Sequence, residues 1–110
     1  MKLPNAELAI VSKSKVTSYL LAKDHPIGRA KAAFFVAFGF TTQAWGSLVE
    51  ALRQHANQHD VARVETSPFG TRYVIEGELI SPDRRNPMVR TVWFIEAGSD
   101  VPRFVTAYPL

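Results

Sequence analysis

A chain of 110 residues, 46% hydrophobic and 21% charged, amounts to one domain, able to bury roughly 60 to 70% of the surface its unfolded form exposes. It contains no Cys, which excludes disulfide staples, thiolate metal sites and a cysteine nucleophile. The net charge of +3 is unevenly spread: residues 1–31 carry six Lys or Arg against Glu7 and Asp24, whereas residues 61–110 carry six Arg against six acids.

That excess points to a polyanionic partner near the N-terminal end. No apolar run approaches the ~20 residues of a membrane span, and Met1–Asn5 lacks the apolar core of a signal peptide. A soluble cytoplasmic protein with no membrane partner is the expectation, and the absence of Cys fits a reducing compartment.

The first predicted element runs from Ser12 to Ala22, a short amphipathic helix with Val16, Tyr19 and Leu20 on one face and Ser12 as N-cap. A second, buried helix spans Arg29 to Phe38, with Gly39 as its C′ residue. Thr41 or Thr42 caps a third, in which Trp45, Leu48, Val49, Leu52 and Ala56 form the apolar stripe and His55 and His59 flank the end. From Val61 the apolar period changes to two. Val61 to Thr66, Thr71 to Ile80, Met88 to Glu96 and Arg103 to Tyr108 read as four strands, separated by the turn-forming stretches Ser67 to Gly70, Pro82 to Pro87 and Gly98 to Pro102.

Helices (1–60) followed by strands (61–110) give a single α+β domain, its four-stranded antiparallel sheet covered by helices on one face and open on the other. On the second strand the polar set Arg72, Val74, Glu76 and Glu78 is expected to face water. On the third, alternation does not decide between Arg90, Val92, Phe94 and Val89, Thr91, Trp93, Ile95. On the fourth, Phe104, Thr106 and Tyr108 share one parity.

No G-x-S-x-G, GxGxxG or P-loop pattern occurs. His55 and His59 have metal-helix spacing but no third ligand, so neither a metal nor a cofactor is expected. Between the first two helices, Lys23-Asp24-His25-Pro26-Ile27-Gly28-Arg29-Ala30-Lys31 collects a titratable His, an Arg fork and two Lys. These residue types suit metal-independent cleavage of RNA, which needs a base for the 2′-hydroxyl, an acid for the leaving 5′-oxygen and cations for the charge on phosphorus. The catalytic candidates are His25, Lys31, Arg29, Arg90, Thr91 and Thr106. Lys23, Arg72, Tyr73 and Arg103 are candidates for RNA contact, and Tyr108 for base stacking. Each also has a structural reading: a capping His25, an Arg29 paired with Asp24, strand threonines that only pack.

The strings Lys2-Leu3-Pro4-Asn5-Ala6-Glu7, His25-Pro26-x-Gly28-Arg29-x-Lys31-Ala32-x-Phe34-Phe35, Arg90-Thr91-Val92-Trp93 and Pro102-Arg103-x-Val105-Thr106-Ala107-Tyr108 resemble a family of small uncharacterised bacterial proteins. Its members are often encoded beside another very small protein, as toxin–antitoxin pairs are. The order of elements is also similar to the Barnase-EndoU-colicin-RelE superfamily of RNases. That likeness implies helix-entry roles for His25, Arg29 and Lys31 and sheet roles for Arg90, Thr91, Arg103 and Thr106, although the strands carry no second His. The expectation is a ribonuclease toxin whose partners are RNA and a small cognate antitoxin-like protein. The alternatives are a non-catalytic antitoxin or immunity-like module and a non-cleaving RNA-binding module. The oligomeric state stays open at this point.

Overall fold

A computed structural model describes residues 1–22 and 29–110; the expectations placed on Lys23 and His25 lie outside the described residues. A 3-10 turn at Ala6–Leu8, which the sequence patterns do not announce, follows Asn5 in a left-handed conformation at φ 54°. Ser12 is the N-cap expected: it is extended, and its hydroxyl accepts the Lys15 N–H at 3.3 Å. The helical turn α1 (Lys13–Lys15) runs straight into a π-helical segment, Val16–Leu20, closed by the Leu21 N–H on the Val16 carbonyl at 2.8 Å. Val16, Leu20 and Leu21 are buried there.

Helix α2 (Arg29–Ala37) buries Ala32 and Phe35. It ends as the Gly at 39 predicts, because Gly39 has φ +101°, a conformation that costs a side chain strain. The Gly39 N–H bonds the Val36 carbonyl at 3.0 Å and the Phe40 N–H the Phe35 carbonyl at 3.2 Å, the paired bonds of a Schellman ending. Helix α3 (Trp45–Gln58) buries Leu48, Ala51, Leu52, His55 and Ala56. Its expected cap is displaced: Thr41 Oγ1 accepts the Ala44 N–H at 3.1 Å, closing the turn before the helix, and Ala44 itself occupies the cap position without a side-chain bond.

The strands β1 (Val61–Ser67), β2 (Gly70–Glu78), β3 (Met88–Glu96) and β4 (Arg103–Pro109) form an antiparallel sheet in the order β1-β2-β3-β4. The helices and the N-terminal segment pack on the face that carries Ile75, Leu79, Val89, Trp93, Phe104 and Ala107. Arg72, Val74 and Glu76 on β2 pair with Phe94, Val92 and Arg90 on β3, so these residues share the other face, which is open at its charged residues, while Val74, expected to face water, is buried together with Val92. This resolves the third strand: Val89, Thr91 and Trp93 face the helices. On β4 a bulge between the partners of Val92 and Trp93 shifts the register. Phe104 pairs with Trp93 on the helix side, while Thr106 and Tyr108 pair with Val92 and Arg90 and turn to the open face. Simple alternation groups Phe104 with Thr106 and Tyr108; the bulge separates them.

Candidate functional site

Lys31, half-buried in the first turn of α2, reaches the β4 side of the sheet. Its ammonium donates to the Tyr19 hydroxyl at 2.6 Å and to Thr106 Oγ1 at 2.9 Å. It also lies 4.9 Å from the Tyr19 ring centre and 5.6 Å from that of Tyr108, within cation–π range. The partners of this cation are thus hydroxyls and ring faces; among the described residues no carboxylate pairs with it. Donation from Lys31 holds the Tyr19 phenol below its ordinary pKa, against the opposing effect of burial and with help from Thr106.

Arg90 stands on the far side of Tyr108. Its guanidinium lies 5.5 Å from the Tyr108 ring centre and donates to the Tyr108 hydroxyl at 3.4 Å. Its Nε donates to Glu76 Oε2 at 2.7 Å, and Nη2 pairs with the same oxygen. Tyr108 and Glu76 together hold the Arg90 pKa above its ordinary value. Tyr108 therefore links two cations that are 59 residues apart in sequence, and the bulge on β4 makes this possible by turning Thr106 and Tyr108 toward Arg90.

Three of the sequence candidates, Lys31, Arg90 and Thr106, are thus gathered around Tyr108. The others are placed differently. Arg29, exposed at the start of α2, is two residues from Lys31, a spacing that sends the two side chains to different sides of a helix. Arg72 faces the open side and pairs with Glu65 at 3.5 Å, and Arg103 pairs with Glu96 at 2.6 Å. Tyr73 packs against the core under the helices, away from the open face. Thr91 is fully buried, on the opposite side of the sheet from Arg90.

Thr91 belongs to a hydrogen-bonded chain in the core. Trp93 Nε1–H donates to Thr91 Oγ1 at 3.0 Å, and Thr91 Oγ1 lies 3.0 Å from His55 Nδ1. His55 Nε2 is 3.1 Å from the Gly77 carbonyl, which can only accept, so Nε2 carries the proton and Nδ1 receives the Thr91 hydroxyl. Every polar group in the chain is satisfied by a neutral imidazole. Burial pushes the His55 pKa down to about 4, with the His59 ring nearby acting in the same direction and the Gly77 and Val89 carbonyls opposing. His59 in turn reaches the Glu78 carbonyl at 2.8 Å. The i, i+4 histidines of α3 are fasteners between helix and sheet. Gly77 permits their approach, because a Cβ there would stand 2.5 Å from the His59 ring.

Tyr19 is the functional candidate that periodicity passes over. It sits on the apolar face of its helical segment, where an aromatic reads as core, yet its ring face and hydroxyl both meet Lys31.

The sequence matches over residues 2–110 the family model described as a domain of unknown function, DUF6883. The chain belongs to the DUF6883 family. No curated relative matches the DUF6883 chain. Among solved structures, it is similar to a chain of a contact-dependent growth inhibition toxin–immunity protein complex from Klebsiella pneumoniae 342, with a TM-score of 0.72 and 16% identity, covering 92% of this chain and 99% of that one. At that identity the likeness establishes a shared α+β fold. Among the described residues of the DUF6883 domain, no helix is long and apolar enough to cross a membrane.

Proposed function

We propose that this DUF6883 domain is a metal-independent ribonuclease that acts as the toxin of a bacterial toxin–antitoxin or toxin–immunity pair. The observation that carries the reading is the Lys31 ammonium held on the Tyr19 and Thr106 hydroxyls, with Arg90 across the Tyr108 ring. Two cations on either side of the Tyr108 ring, one of them held by two hydroxyls, suit a phosphodiester whose non-bridging oxygens gain charge in the transition state. In this scheme His25, six residues before Lys31, takes the 2′-hydroxyl proton as O2′ bonds to phosphorus. The P–O5′ bond breaks and the leaving oxygen receives a proton from the Lys31–Tyr19 pair, leaving a 2′,3′-cyclic phosphate and a 5′-hydroxyl. Arg90 serves as a phosphate clamp, and Arg29, Lys23, Arg72 and Arg103 as outer contacts to the RNA. The shared fold with a chain of a toxin–immunity complex supports a cognate protein partner.

A second reading, a non-catalytic immunity-like module, draws on the open face, where Arg63, Arg72, Arg90 and Arg103 are each paired with a Glu. A neutralised face of this kind suits a protein partner better than a polyanion. Induced expression without the neighbouring gene separates the two: growth arrest with RNA fragmentation for the wild type, abolished by K31A and H25A, is the toxin result. Unimpaired growth with intact RNA would give the function to the binding module.

A further inference from the structure

The two edges of the sheet are treated differently. Along β4 the edge is occupied: Ile10 runs parallel to it, its N–H bonding the Pro102 carbonyl and its carbonyl receiving the Phe104 N–H, both at 2.9 Å, and Lys15 Nζ caps the Val105 carbonyl at 3.1 Å. Along β1 the cover stops at the first residue, where the Val61 N–H bonds the Met1 carbonyl at 2.7 Å. Among the described residues nothing pairs with the outer edge from Ala62 to Ser67. Val64, in the middle of that edge, is 44% exposed. An open edge with an apolar centre is a template for another strand.

The composition of β1 says which strand. Val61 to Ser67 reads Val-Ala-Arg-Val-Glu-Thr-Ser, and its charges, Arg63 and Glu65, stand symmetrically about Val64. β1 and β2 are joined by a two-residue turn, with Ser67 paired to Gly70. In such hairpins the flanking pair is hydrogen-bonded and bonding alternates from there. Glu65 and Arg63 therefore spend their backbone groups on β2, while Val64 and Thr66 turn theirs outward. An antiparallel copy of β1 centred on Val64 meets these outward groups in register from Arg63 to Thr66, Val64 opposite Val64, and a bulge at Ala62 ends the regular edge. It also sets Arg63 directly opposite Glu65 of the other copy, twice, on the open face where the two side chains already pair at 3.0 Å within one chain. The neighbouring registers with the same bonding parity are centred on Arg63 or on Glu65, and each opposes like charges. One register is favoured and its alternatives are penalised.

We propose that β1 is the interface for a second copy of this chain, which adds edge to edge about a twofold axis through Val64 and joins the two four-stranded sheets into one. The inference is independent of the catalytic reading. It is tested by sedimentation of the full chain at high micromolar concentration, comparing wild type with R63E, E65R and their equimolar mixture, each checked for native circular dichroism. The wild type is expected to be dimeric. Each single variant opposes like charges and weakens the dimer about tenfold or more, and mixing the two restores association because opposite charges again face each other. Independently, V64C in this cysteine-free chain is expected to cross-link rapidly on mild oxidation, since a hydrogen-bonded antiparallel pair places its Cα atoms about 5.5 Å apart. A wild type that sediments as a monomer, or variants that associate as tightly as wild type with no gain on mixing, would overturn the proposal.

Discussion

The Lys31 ammonium stands 2.6 Å from the Tyr19 hydroxyl, so a helix-borne cation and a phenol from the preceding helical segment form one hydrogen-bonded unit beside Thr106. That unit is specific in its atoms. Tyr19→Phe keeps the ring under Lys31 and removes the oxygen. Cleavage of RNA is expected to fall by about tenfold to a hundredfold, while stability changes by about 1 kcal/mol. Single-turnover rates alongside denaturant unfolding separate the two effects.

Thr106 and Thr91 provide an internal contrast. Thr106→Val is expected to reduce cleavage with little change in stability, because its hydroxyl serves the half-buried Lys31 site rather than the core. Thr91→Val leaves the Trp93 N–H and the His55 Nδ1 unpartnered in the core, at a cost of about 2 kcal/mol. Its cleavage per folded molecule is expected to stay at the wild-type level. Thermal melts paired with activity at low temperature check both.

Stability should weaken on acidification through His55. Its ordinary pKa of 6.5 falls to about 4 in the folded chain, so the unfolded state binds a proton first as pH drops. The contribution is fully present above pH 6.5 and is lost progressively between pH 6.5 and about 4, reaching about 3 kcal/mol. Urea unfolding at pH 7 and pH 4 measures the loss. An imidazole titrating near 6.5 by NMR would contradict it.

Glu76 already holds the Arg90 guanidinium, so on the proposed function it competes with a phosphate for it. Glu76→Gln removes the carboxylate charge that two Arg90 nitrogens share at one oxygen and is expected to tighten RNA binding and to steepen its salt dependence by up to about one unit of slope. Filter binding over a range of salt concentrations reads both changes.

The element order was legible because helical stripes, the switch to a period of two at Val61 and the turn residues all agree locally. Gly39 and Ser12 were legible for the same reason: their conformations follow from residue type. The site was legible in part. Lys31 stands out in the cationic run that ends at it, and Arg90 and Thr106 as polar strand residues of the right chemistry, but their meeting depends on the β4 bulge, a one-residue offset that leaves no mark in Arg103–Tyr108. Thr91 shows the converse. Its chemistry resembles that of Thr106, and only the packing of His55 and Trp93 around it makes it structural. His55 and His59 at the end of α3 likewise read only as a metal-like spacing without a third ligand, until Gly77 is seen to open space for them against the sheet.

The central claim is that the Lys31–Tyr19–Thr106 cluster works on a phosphodiester, and the end chemistry of RNA incubated with purified protein in chelator tests it most directly. The expected result is fragments bearing 2′,3′-cyclic phosphate and 5′-hydroxyl ends for the wild type and for T91V, and none for K31A. Intact RNA with folded wild-type protein, or equal cleavage by wild type and K31A, would contradict it.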